Sequence, residues 1–263
     1  HATARFKDKG EADGVMARIA GATEATVGAI EKKRRKSNPP APFNTTSLMA
    51  AASSIGIKPA RTMRIAESLY MNGYTSYPRV DNTVYPEGLD LRGVLDILAK
   101  VPDFREGAEA LLAKGKLTAT RGKQETTDHP PIYPTGAADP DKLRPEEWKL
   151  YSLICRRFMA TLSEAAVLES TKVTFDVEGE PFTARGDVLV EPGYRSVYPY
   201  GLKKDEQMPP LVEGQTLDFW DADCAHKQTE PPARYSSGKL VQEMEAKGLG
   251  TKATRHDMIE RLY

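Results

Sequence analysis

The apolar and polar positions change period along the chain. Residues 12–20 place Val15, Met16 and Ile19 at helical spacing, and Gly21 ends that pattern. Residues 26–30 read as a strand that runs into Lys32, Lys33, Arg34, Arg35 and Lys36. Prolines in the SNPPAP stretch of residues 37–42 stiffen a linker, because proline fixes its own φ and biases its predecessor away from helix. A helical block follows. Thr46 or Ser47 is placed to cap a helix carrying Leu48, Met49, Ala52 and Ile55, with Gly56 at its end. Residues 59–72 set Thr62, Ile65, Ala66 and Leu69 on one face, and Gly73 stops them. Pro86 is expected to open a further helix with Leu91, Val94, Leu95 and Leu98. Residues 115–142 read as mostly irregular. Pro145 then starts a helix whose first turn holds Glu146 and Glu147, where the helix dipole favours anions. Its stripe of Trp148, Tyr151, Ile154, Cys155 and Phe158 reads as core packing.

From Leu168 the period falls to two. Val173, Phe175 and Val177 alternate, and residues 182–190, 195–198 and 216–221 also read as short strands. Ser236 or Ser237 is placed to cap a helix bearing Leu240, Val241 and Met244, closed by Gly248, and a short helix is expected after Thr254. These elements predict an α+β fold in which a mainly helical domain is inserted into a β-rich one. The expected boundaries are 1–42 for the first β-rich part and linker, 43–165 for the helical domain, 166–230 for the second β-rich part, and 231–263 for the start of a further domain.

Composition narrows the picture. The 263 residues suffice for one large or two modest cores. Lys plus Arg and Asp plus Glu are 37 each, so any nucleic-acid site has to be a local patch. The basic run at 32–36 suits either a solvated face or phosphate contact. Cys155 and Cys224 have no metal-ligand spacing and fit a reducing compartment. With no membrane-length apolar run and no signal peptide, the expectation is a soluble cytoplasmic protein. His1 and the stop at Tyr263 inside an amphipathic stretch suggest a piece of a longer chain.

Candidate chemistry centres on residues 73–82, GYTSYPRVDN. A phenol titrates near pH 10, so Tyr77 needs help to attack phosphorus. Arg79, two residues on, can stabilise a phenolate and grip a phosphate with its planar fork. In extended backbone, residues two apart share a side, which puts Tyr77, Arg79 and Asp81 together, with Asp81 placed to orient Arg79. The competing reading is a Tyr-Pro turn with an ordinary ion pair. His129 lies in DHPPIYPT, held by its prolines, and reads as a phosphate ligand, a proton relay or a surface histidine. Arg234 follows Pro231 and Pro232, and the GLGTK run of residues 248–252 precedes a helix start at Thr254, whose N–H groups suit an anion.

Five stretches in order resemble the type IA DNA topoisomerases: PPAPFNTTSL, RIAESLYMNGYTSYPRVDN, DHPPIYPT, PPARYSSGKLVQEMEAKGLG and TKATRHDMIERLY. Ser76, Pro78, Val80 and Asn82 depart from the common bacterial pattern YITYMRTDS and look nearer to archaeal or type III-like members. The resemblance implies that Tyr77 attacks a single-stranded phosphodiester to give a 5′-phosphotyrosine link and a free 3′-OH, so that negatively supercoiled DNA is relaxed without ATP. It implies that Arg79 stabilises phosphoryl charge, and that Asp81, His129 and Ser76 support the site. Arg234, Lys252, Thr254 and Thr83 would meet the DNA. It further implies that Mg2+ is held by a Toprim domain preceding this chain, with no metal site within it, so that the chain alone is inactive. In family terms the helical domain is the cap, the β-rich domain an arch, and residues 231–263 the start of a DNA-binding base. The expected partner is single-stranded or negatively supercoiled DNA, met by a monomer. Other readings are the topoisomerase half of a reverse gyrase, a single-strand binding module in which Tyr77 stacks on a base, and a tyrosine recombinase, whose spread of basic catalytic residues is missing.

Overall fold

The structure is a computed structural model that describes residues 1–201 and 205–262. The chain divides into two compact units. One comprises His1–Ser37, Val167–Glu191 and Lys203–Pro232; the other comprises Asn38–Ala166, Pro192–Leu202 and Ala233–Tyr263. The fold is α+β, with the long helical segment lying in sequence between segments of the sheet.

The first unit carries helix α1 (Lys9–Ile19) and strands β1 (Glu24–Ser37), β2 (Ala166–Val177), β3 (Glu180–Glu191) and β4 (Thr216–Asp218). The sheet order is β3-β2-β1-β4. β2 and β3 form an antiparallel hairpin that pairs Val177 with Glu180. Its two turn residues both take positive φ, 52° at Glu178 and 83° at Gly179, the left-handed pair that matches strand twist in a two-residue hairpin. The Asp176 carboxylate accepts the Gly179 N–H at 3.1 Å. Ile19, Ala25 and Val177 form a small core with Phe182 and Phe219 against them. The strand expected at 26–30 extends through the whole basic run. There Arg34 pairs with Glu169 at 2.9 Å, Arg35 with Asp187 at 3.7 Å and Lys33 with Glu31 at 3.2 Å.

The second unit holds α2 (Thr45–Ser54), α3 (Pro59–Met71), α4 (Leu91–Ala99), α5 (Pro102–Leu112), α6 (Pro145–Thr161), α7 (Ser237–Ala246) and α8 (Arg255–Glu260). Leu48, Ile65, Leu95, Phe104, Tyr151 and Phe158 are wholly buried in its main core. Met49, Met63, Val241, Met244 and Ile259 form a second cluster, which seats α7 and α8 on α2 and α3. Three sequence expectations shift. Asn44, not Thr46 or Ser47, caps α2. Its side chain accepts the Ser47 N–H at 2.9 Å, while the Ser47 hydroxyl accepts the Asn44 N–H at 3.0 Å, a reciprocal cap that leaves Thr46 free for other contacts. The helix expected from Pro86 starts instead at Leu91, because the Asp90 carboxylate accepts the Gly93 N–H at 2.9 Å and fixes the first turn there. The strand expected at 195–198 is a 3₁₀ turn, Gly193–Ser196, anchored by the Tyr194 N–H on the Glu164 carbonyl at 2.8 Å. Among the described residues no helix is long and apolar enough to cross a membrane.

Candidate active site

Gly73 ends α3 with φ 75°, a left-handed conformation that glycine adopts without a Cβ clash. The chain then runs through residues 74–83 as an irregular segment between two backbone partners. On one side the Ser76 N–H donates to the Tyr133 carbonyl at 2.9 Å, and the Thr135 N–H to the Tyr74 carbonyl at 3.0 Å. A Cβ at Gly136 would stand 2.6 Å from the Gly73 carbonyl oxygen, so the close approach there requires glycine. On the other side the Thr45 N–H donates to the Val80 carbonyl at 2.9 Å. The Thr45 hydroxyl accepts the Val80 N–H at 2.8 Å and donates to the Pro78 carbonyl at 2.8 Å.

This clamping fixes which side chains face outward. Ser76, Pro78, Val80 and Asn82 are buried, whereas Tyr77, Arg79 and Asp81 are half-exposed. The burial alternates with period two and leaves the last three facing outward. Ser76 turns inward and serves as a tie. Its hydroxyl donates to the Pro131 carbonyl at 3.2 Å and accepts the Tyr133 N–H at 3.0 Å. The buried Asn82 amide donates to the carbonyls of Thr126 at 2.9 Å and His129 at 3.2 Å. It thereby binds the His129 loop to the tyrosine strand. Thr83 does the same for Gln124, donating its hydroxyl to the Gln124 carbonyl at 2.8 Å.

The Tyr77 ring sits between two others. His129 lies 4.9 Å away centre to centre, and Tyr70 of α3 meets it edge-on at 5.3 Å. Among the described residues nothing hydrogen-bonds the Tyr77 phenol.

Arg79 finds a carboxylate other than the expected Asp81. Its Nε donates to Glu67 Oε1 at 2.8 Å, Nη2 donates to the same oxygen, and Nη1 donates to the Ala253 carbonyl at 3.1 Å. Asp81 pairs instead with Lys252, whose Nζ lies 3.1 Å from Asp81 Oδ2 and 3.1 Å from Asp128 Oδ2. The physical reason is the neighbourhood. Glu67 projects from α3 beside Arg79, and the turn before α8 delivers a cation to Asp81. Asp128 is held well below the usual carboxylate range by the Thr126 hydroxyl first and by Lys252 next; the same two carboxylates raise the Lys252 ammonium against the opposing effect of its burial.

Lys252 reaches the site because residues 251–254 form a tight turn. The Thr251 N–H donates to Thr254 Oγ1 at 2.9 Å, and the Thr254 N–H to the Thr251 carbonyl at 3.0 Å. Thr254 is therefore turned back on its own loop. α8 is only six residues long, with His256 buried and its imidazole pushed down by that burial. Arg234 is exposed ahead of α7 and has no contact with the tyrosine strand among the described residues. Sequence reasoning missed Glu67, Thr45 and Asp128 as parts of this site. Asp128 stood beside His129 in a motif already singled out, and Glu67 is an acid one helix before a cation. Neither carries a local pattern that names its partner.

Known proteins resemble this chain along its length. A family model described as DNA topoisomerase matches residues 1–263. DNA topoisomerase 1 of Archaeoglobus fulgidus is 43% identical over 258 residues, covering 98% of this chain and 38% of that protein. DNA topoisomerase 3-beta-1 of Mus musculus is 35% identical over 233 residues, covering 88% of this chain and 27% of that protein. Full-length topoisomerase I from Thermotoga maritima shares the fold at a TM-score of 0.69 and 23% identity, over 98% of this chain and 43% of that one. The chain thus spans well under half the length of these relatives.

Proposed function

The chain belongs to the type IA DNA topoisomerases, and from that premise we propose that Tyr77 is the nucleophile by which the whole protein cuts and reseals one DNA strand. The phenol oxygen attacks the phosphorus of a single-stranded phosphodiester, the bond to the 3′ oxygen breaks, and a 5′-phosphotyrosine link and a 3′-OH result. Because the link conserves the energy of the broken bond, attack by the same 3′-OH reseals the strand without ATP. Between these steps another strand passes, and negative supercoils are relaxed.

The observation that carries this reading is the half-exposed Tyr77 beside the half-exposed Arg79, with the alternate residues buried. A guanidinium at that position stabilises charge that builds on the phosphoryl oxygens. His129 lies ring to ring with Tyr77, which supports proposing it as the group that takes or returns the phenol proton. Asp81 acts by holding Lys252, and Ser76 by holding the strand. Arg234, Lys252, Thr83 and Thr254 are proposed contacts to single-stranded or negatively supercoiled DNA. We assign the helical unit to the cap that carries the tyrosine and the sheet unit to the arch.

Magnesium fits poorly on the residues described here. The carboxylates of Asp81 and Asp128 already close on an ammonium. Among the described residues no group of three or more His, Cys, Asp or Glu converges to hold a metal ion. We derive no step through Mg2+.

Covalent capture tests the proposal. The full-length protein incubated with an end-labelled single-stranded oligonucleotide and denatured should retain label on the fragment 3′ of the cut. Tyr77→Phe should lose that adduct while still binding DNA. Survival of the adduct in Tyr77→Phe, or its mapping to another residue, sinks the assignment.

A further inference from the structure

The fork of Arg79 is already occupied. A guanidinium offers two edges for bidentate contact with an oxyanion: the side edge, Nε with Nη2, and the end edge, Nη1 with Nη2. Glu67 Oε1 takes both hydrogens of the side edge, at 2.8 Å from Nε and with Nη2 in the same contact. Nη1 also donates to the Ala253 carbonyl at 3.1 Å. The side edge is not free to receive two phosphate oxygens. The Glu67 side chain is 41% exposed and that of Arg79 24%, so the pair sits at the surface where an arriving phosphate can compete for it.

We propose that Glu67 is a resting counter-ion for Arg79, which the scissile phosphate displaces when DNA reaches Tyr77. Glu67 is then a positioning residue. It keeps the guanidinium beside the tyrosine in the absence of DNA, and its carboxylate sets a threshold that an anion must exceed to take the fork. A single phosphodiester carries one negative charge, as does the carboxylate. The exchange is therefore near balance by charge alone, and the remaining contacts of a correctly seated strand decide it. Poorly seated strands leave Arg79 on Glu67 and the phosphoryl group without its cation. Glu67 in this way couples strand seating to cleavage. The inference rests on the reading of Tyr77 and Arg79 given above.

The test uses the full-length protein with Tyr77→Phe, so that only non-covalent binding of a short single-stranded oligonucleotide is read. Glu67→Gln removes the charge while keeping shape, and should tighten binding by about two- to fivefold, the range for a half-exposed charge pair. Glu67→Asp, which keeps the charge, should stay close to the parent. In an Arg79→Ala background Glu67→Gln should change nothing, because the competition no longer exists. If Glu67→Gln tightens binding equally without Arg79, the effect is general charge removal and the proposal falls. It also falls if Glu67→Gln leaves binding unchanged while Arg79→Ala weakens it. Binding indifferent to Arg79→Ala would instead overturn the role given to Arg79 itself, and loss of the covalent adduct in wild-type protein would overturn that of Tyr77.

Discussion

Thr45 holds the tyrosine strand at its tightest point. Its hydroxyl and backbone satisfy Val80 on both polar atoms, and both residues are wholly buried. Thr45→Val keeps the shape but leaves the Val80 N–H unpaired in the core, which costs about 1–3 kcal/mol. Urea unfolding should show that loss, and Thr45→Ser should stay near wild type. The Thr45 hydroxyl also ties the Pro78 carbonyl next to Tyr77, so covalent capture by the full-length protein should fall with Thr45→Val as well. A second residue-scale effect is set by pH. The Arg144 guanidinium holds the Glu147 carboxyl down at about 2, from an ordinary value of 4.5; burial opposes this, and the Arg144 N–H and the Ser68 hydroxyl add to it. A carboxyl depressed in the folded state contributes stability above its unfolded pKa and loses it as pH falls towards the folded one. Glu147 therefore stabilises the contact of α6 with α3 at neutral pH and progressively less below pH 4.5. The stability gap between wild type and Glu147→Gln should be largest near neutrality and shrink on acidification. A gap that stays constant with pH would contradict this.

Elements were legible where one local rule fixed them. α6 announced itself through Pro145, two acids in its first turn and an apolar stripe, and α3 through its apolar face and Gly73. The Tyr77 side of its segment was legible too, because the burial there alternates with period two. What escaped was set by partners distant in sequence. Glu67 finds Arg79 only after α3 folds back along the strand, and Lys252 reaches Asp81 only once α8 docks on α3. The packing of α7 on α2 is a further case. A Cβ at Gly238 would lie 2.8 Å from Ser53 Cβ and 3.2 Å from the Ala50 carbonyl oxygen. In an isolated helix Gly→Ala gains up to about 1 kcal/mol. Here the overlap forces α7 away from α2, at about 1–3 kcal/mol, so Gly238→Ala should lower the melting temperature. Adding Ser53→Gly should recover part of the loss, since the two Cβ positions are coupled through one contact. A stabilised Gly238→Ala would show that the helices separate at no cost.

At the scale of the whole molecule, the proposed encounter with DNA turns on charge. The 37 basic and 37 acidic residues of this chain cancel, so its net charge offers no pull on a polyanion, and on the proposed function its attraction comes from local, unpaired cations. The densest basic run, residues 32–36, is a poor candidate for that work, since Lys33, Arg34 and Arg35 each have a carboxylate partner on the sheet unit. Arg234 is exposed and without a partner among the described residues. A cation already neutralised by the protein releases few DNA counter-ions when it meets a phosphate, because its carboxylate must first find solvent ions. A free one releases its full share, about 0.7 in the slope of log K against log salt for a single strand. Arg234→Ala should therefore lower the magnitude of that slope by about 0.7, and Arg34→Ala should leave it nearly unchanged. Titrating full-length protein with a fluorescent oligonucleotide at several salt concentrations measures both slopes. If Arg34→Ala lowers the slope as much as Arg234→Ala, the sheet's ion pairs open on binding and the basic strand is itself a DNA contact.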